Sequence, residues 1–143
     1  MTTPEQLAQH LRDAYAVSME AGLAAAGDFI AEDFELAHEP PHPADGMKVG
    51  SEMAAMWAKE GAMLKTAMPD AALTDMQISV DGDDVLLKAV MRGTNPDGSS
   101  LAHPYDVAYT VKGGKVVRAC AVYDPRPVAQ INMKAFTDQA DQT

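Results

Sequence analysis

The segment ELAHEPPHPADG (35–46) concentrates side chains that move protons or hold metals. His38, Glu39, His42 and Asp45 fall among three prolines. Imidazole, with an ordinary pKa of about 6.5, is a natural base near neutrality. A carboxylate does the same work only where burial raises its pKa. Both suit removal of a proton next to a carbonyl, provided that hydrogen-bond donors face the oxygen on which charge builds. A metal reading takes all four residues, but their irregular spacing matches no zinc signature. His38 also has a plainer reading, a core histidine bonded to a backbone carbonyl. Cys120 lies in an apolar strand, where a thiol behaves as a small hydrophobe. The KGGK stretch is a hairpin turn without the frame of a phosphate-binding loop.

The elements that must position these groups follow from capping, periodicity and turn signals. Thr3, Pro4 and Gln6 predict a capped helix start. Leu7, Leu11, Tyr15 and Met19 then recur every four residues as one apolar stripe, ended by Gly22 or Gly27. GDFIAEDF (27–34) reads as a short helical turn running into a strand. Phe34, Leu36 and His38 alternate with Glu35, Ala37 and Glu39, so His38 follows the apolar set inward. Pro40, Pro41 and Pro43 stop this strand and make a stiff rim. Ser51 is a candidate cap for a second long helix, 52–66, on which Met53, Met56, Trp57, Glu60 and Leu64 share one spacing. Beyond Pro69, alternating stretches separated by DGDD, NPDG and KGG predict a meander of four strands. Its third strand, 101–111, carries Pro104 as an interruption. Helices followed by a run of strands indicate an α+β fold with helices on one face of an antiparallel sheet.

The 143 residues fit one domain, 1–143, with a frayed polar tail at 137–143. A formal charge of −10 argues against nucleic-acid partners and against docking to anionic membranes. One cysteine forms no internal disulfide, and neither a signal peptide nor a long apolar span is visible, so a cytoplasmic protein is expected.

The order of elements resembles the nuclear-transport-factor-2-like superfamily, particularly its SnoaL-like and ketosteroid-isomerase-like members. The likeness is carried by LRDAYAVSMEAG, FIAEDFELAHEP, GMKVGSEMAAMW and, most specifically, YDVAYTVKGGKVVRACAVYDPRP. It implies a cone-shaped curved sheet wrapped around the N-terminal and central helices, enclosing a pocket. Residue by residue, it places an oxyanion donor on Tyr15 and a protonated second donor on Asp106. The family's general-base position falls on His38, a departure from its aspartate, with Glu39 beside it. Trp57, Met53, Leu64 and Tyr123 become expected substrate-binding walls, and His103 joins them if the faces of strand 101–111 are reversed.

Those faces set Leu101, His103, Tyr105, Val107, Tyr109 and Val111 against Ala102, Pro104, Asp106, Ala108 and Thr110. One arrangement buries the bulky set in the core. The other, favoured here, turns it to a homodimer interface and leaves Asp106 in the pocket. The expected function is cofactor-independent isomerisation or cyclisation of a hydrophobic carbonyl compound, with neither metal nor cofactor. The alternatives are a hydrolase or dehydratase of the same fold, or a non-catalytic ligand-binding module.

Overall fold

A computed structural model describes residues 2–39, 50, 52–95 and 97–122. The expected Ser51 cap, the proline rim and the tail 137–143 lie outside these residues. Helix α1 (Pro4–Val17) begins as its sequence predicts. The Thr3 hydroxyl accepts the Gln6 N–H at 3.1 Å, and the Thr3 N–H donates to the Gln6 side chain at 3.0 Å. Leu7, Leu11 and Tyr15 are buried along one face. Burial of each such large apolar side chain stabilises the fold by roughly 1.5–3 kcal/mol.

The stripe then crosses a break. Ser18 is extended, with φ −170° and ψ 165°, and separates α1 from α2 (Met19–Ala26). Its hydroxyl accepts the Ala21 N–H at 3.0 Å, so one residue ends the first helix and caps the second. Met19 stays buried, although it no longer continues the helix of Tyr15. Gly22 fits under the Tyr15 ring, where a Cβ would overlap the ring carbons.

The remaining elements are β1 (Ile30–Glu39), α3 (Glu52–Ala67), β2 (Ala72–Asp81), β3 (Asp84–Thr94), β4 (Ser100–Lys112) and β5 (Lys115–Val122). The sheet is open and mixed, in the order β1-β5-β4-β3-β2. Strands β2 to β5 form the predicted antiparallel meander. Its last turn uses Gly113 and Gly114 at φ 61° and 77°, a conformation that costs glycine little. By contrast, β1 pairs with β5 in parallel. No tight turn joins these two strands, so turn geometry does not fix their relative direction. In β2, Asp75 takes φ 55° where the register with β3 shifts between Thr74 and Gln77, a local bulge.

The bulky face of β4 is the inner one. Leu101, His103, Tyr109 and Val111 are buried, and Tyr105 and Val107 pack against the core. Val85, Leu87, Ala89 and Met91 of β3 are buried beside them. This reverses the expectation that the bulky set faces outward. The helices need a wide apolar surface to cover, and only this set supplies one. Tyr109 and Val111 are therefore unavailable for the dimer contact expected of them, and Val107 is half-covered by the core. Pro104 does not interrupt β4 but pairs in register with Val90. Among the described residues, the β4–β5 ladder starts at Asp106, so Pro104 lies outside it. No described helix is long and apolar enough to cross a membrane.

Substituting Gly22→Ala should lower stability by about 1–3 kcal/mol, because the added methyl displaces the Tyr15 ring. Urea denaturation checks this. A gain in stability, as alanine normally gives in a helix, would show that Tyr15 does not pack there.

Candidate functional site

Between the helices and the inner face of the sheet lies a cavity of about 260 Å³. This is just below the ~300–1,000 Å³ common for small-molecule sites. Met19, Leu23 and Ala26 of α2 form one wall, and Trp57, Glu60, Met63 and Leu64 of α3 another. The floor comes from the sheet, with His103, Tyr105, Val107 and Tyr109 of β4 and Ala119 and Ala121 of β5. The two alanines stand in register with Tyr109 and Val107, so small residues on β5 leave room in front of large ones on β4. Trp57 is steadied by Phe34, with ring centroids 5.6 Å apart and planes at 81°.

Polar groups converge on one side. The hydroxyls of Tyr15 and Tyr105 lie 2.9 Å apart, and either can donate. Their rings meet edge-on, with centroids 6.0 Å apart. Burial, first of all, holds the pKa values of Tyr15, Tyr105 and Tyr109 well above that of a free phenol. Electrostatic repulsion from a neighbouring phenolate form comes second in each case. Tyr105 lines the cavity, while Tyr15, its hydrogen-bond partner, is not part of the lining.

Glu60 was not singled out as a site residue from the sequence. It occupies the apolar stripe of α3 and lines the cavity. Solvent reaches its side chain, yet desolvation raises its carboxyl pKa. It also adds a minor repulsive contribution to the raised pKa of each of the three tyrosines. The lining contains two carboxylates, Glu60 and Asp106, and among the described residues no lysine or arginine.

Other expected site residues are placed as follows. Asp106 is half-buried and lines the cavity, as does Pro104 of the same parity, although the bulky set expected to face outward lines it too. Trp57, Leu64 and His103 line the cavity, whereas Met53 is buried in the core and does not. The backbone of His38 pairs with lining residue Ala121, and that of Glu39 with Val122. The side chains of His38 and Glu39, and all of Tyr123, His42 and Asp45, lie outside the described part. Among the described residues, no three His, Cys, Asp or Glu side chains group to hold a metal ion.

A family model for the SnoaL-like domain matches residues 11–119. The chain belongs to the SnoaL-like family. Solved structures give the same architecture. An NTF2-like protein of unknown function from Burkholderia pseudomallei is 16% identical, with a TM-score of 0.63 over 92% of this chain and 98% of that one. A candidate polyketide cyclase from Acidithiobacillus ferrooxidans is 20% identical, with a TM-score of 0.62 over 90% and 96%. A candidate SnoaL-like polyketide cyclase from Jannaschia is 18% identical, with a TM-score of 0.62 over 94% and 91%. At these identities the likeness establishes the fold alone. No curated protein matches by sequence.

The raised pKa of Glu60 sets the sign of a stability effect. Between its unfolded and folded pKa values the folded protein holds the extra proton, so this group's contribution to stability falls as pH rises through that window. Glu60→Gln should therefore raise Tm more at pH 8 than at pH 4. Thermal melts at the two pH values decide it, and an equal or opposite shift would remove the burial assigned to the carboxyl.

Proposed function

We propose that this SnoaL-like protein is a cofactor-independent isomerase or cyclase acting on a small hydrophobic carbonyl compound. One observation carries the reading: Tyr105, whose hydroxyl is bonded to that of Tyr15 at 2.9 Å, lines an otherwise mainly apolar cavity. When a proton leaves the carbon next to a carbonyl, negative charge moves to the carbonyl oxygen. A phenol donor in an apolar recess stabilises that charge more than water does, because it is already oriented. Tyr15 stabilises it further by donating to Tyr105 as the charge spreads.

His38 is the base in this reading. It lies in register with Ala121 at the end of β1, and alternation sets it with Leu36, which lines the cavity. Glu39, the neighbouring carboxylate, is a second proton acceptor within the same strand end. Asp106, at the cavity border, is proposed to tune the electrostatics of the strand rather than to donate beside Tyr105. Turnover requires no cofactor in this scheme. The cavity is not filled by Trp57 and the methionines, and it keeps polar groups at its wall, which favours chemistry over passive storage. A homodimer uses another surface in this reading, because Tyr109 and Val111 are buried and Val107 packs against the core.

An enolate analogue tests the donors. 2-Naphthol should bind and quench Trp57, the protein's one tryptophan. Tyr105→Phe should weaken it about tenfold or more, and Tyr15→Phe by less, in line with about 0.5–1.5 kcal/mol for a neutral hydrogen bond and more for a charged one. Unchanged affinity in Tyr105→Phe would remove the oxyanion role. Once a turned-over ketone is found in a screen of unsaturated ketones, His38→Ala should abolish most of its conversion. Full activity in that variant would exclude His38 as the base.

A further inference from the structure

We infer that the cavity takes a ligand bearing a positively charged nitrogen, seated against Trp57, Tyr105 and Tyr109 with Glu60 as its counter-charge. This rests on the reading of the cavity as a ligand site and names the class of compound that fits it. Three aromatic residues, Trp57 on α3 and Tyr105 and Tyr109 on β4, line one space. Ring faces carry partial negative charge, and they attract ammonium groups more strongly when water is excluded. Glu60 lies on the same helix as Trp57, close to one turn further on, so the carboxylate and the indole edge the same opening.

Charge selects in the same direction. Both formally charged residues of the described lining, Glu60 and Asp106, are acidic. No described basic side chain is ion-paired with Glu60, and Lys65 of the same helix is engaged with Glu20 at 3.5 Å. A carboxylate that loses part of its hydration at the edge of a cavity, with no described cation beside it, is costly, and a ligand cation offsets that cost. An anionic ligand would add repulsion from both carboxylates, and a neutral one would leave Glu60 uncompensated. The overall charge of −10 also raises the local concentration of cations around the protein. Taken with the carbonyl chemistry proposed above, the substrate class becomes amine-bearing carbonyl compounds.

Benzyltrimethylammonium and its uncharged carbon isostere, neopentylbenzene, separate charge from shape. Both are titrated into the full chain with Trp57 emission as the readout, beside benzoate and 2-naphthol. The cation should bind at least tenfold tighter than the isostere, and benzoate should bind weakest. Glu60→Gln should reduce the cation's preference to less than threefold while leaving the isostere unchanged. Glu52→Gln, which removes the same charge from an exposed position on the same helix, should leave the preference intact. Equal binding of cation and isostere, a preference that survives Glu60→Gln, or no response of Trp57 to the cation at millimolar concentration overturns the inference. The naphthol arm keeps the two readings apart. Naphthol binding without cation selectivity sinks only this inference, and cation selectivity without naphthol binding sinks only the oxyanion role.

Discussion

One side chain constrains the whole arrangement. The Tyr15 ring occupies a place that only glycine at position 22 leaves open, and its hydroxyl meets Tyr105 at 2.9 Å. A buried hydroxyl left without a partner costs about 1–3 kcal/mol. Pairing Tyr15 with Tyr105 therefore holds Tyr105 on the inner face. Because a strand alternates, that choice also turns His103, Val107 and Tyr109 inward and sets Asp106 on the other parity. The ring end of the same residue fixes how α2 folds back on α1 after Ser18. A single aromatic thus links the break between two helices to the parity of a strand far along the chain.

The cavity is a consequence of unequal packing across that interface. Large residues on β4 stand beside the small Ala119 and Ala121 of β5, and Ala26 of α2 also lines the space. Space left by alanines cannot be closed by the helices without pulling them off the core formed by Leu7, Leu11, Phe34 and Leu87. The recess is acidic and aromatic, so its dielectric character differs from both the core and the solvent. Phenols stay protonated there, and Glu60 gives up its proton less readily than it would in water.

Much of the architecture was legible in the sequence because it rests on local signals. The Thr3–Gln6 box, the glycine turns and the alternation of the meander all act over a few residues. The features that escaped depend on distant partners. Nothing near Ser18 shows that its hydroxyl cap wins over helix continuation, since the outcome turns on Tyr15 meeting Gly22. The faces of β4 were ambiguous because both sets contain residues suited to a wall. Glu60 stood out as the one charge among Met53, Met56, Trp57 and Leu64, a signal that was visible but unused. Asp106 drew attention through family likeness, whereas Tyr105 and Tyr109 drew none, being read as part of an outward stripe.

The parallel edge strand has a kinetic meaning. β1 leaves the helices early in the chain, yet its ladder is with β5, the last described strand. Hairpins of the meander need only short loops to close, while β1 must wait for a partner separated from it by α3 and three strands. Loop-closure entropy therefore favours the meander first and the edge strand afterward. In that order the strand that carries Leu36 closes the last wall of the cavity, and the space exists only once most of the sheet is in place.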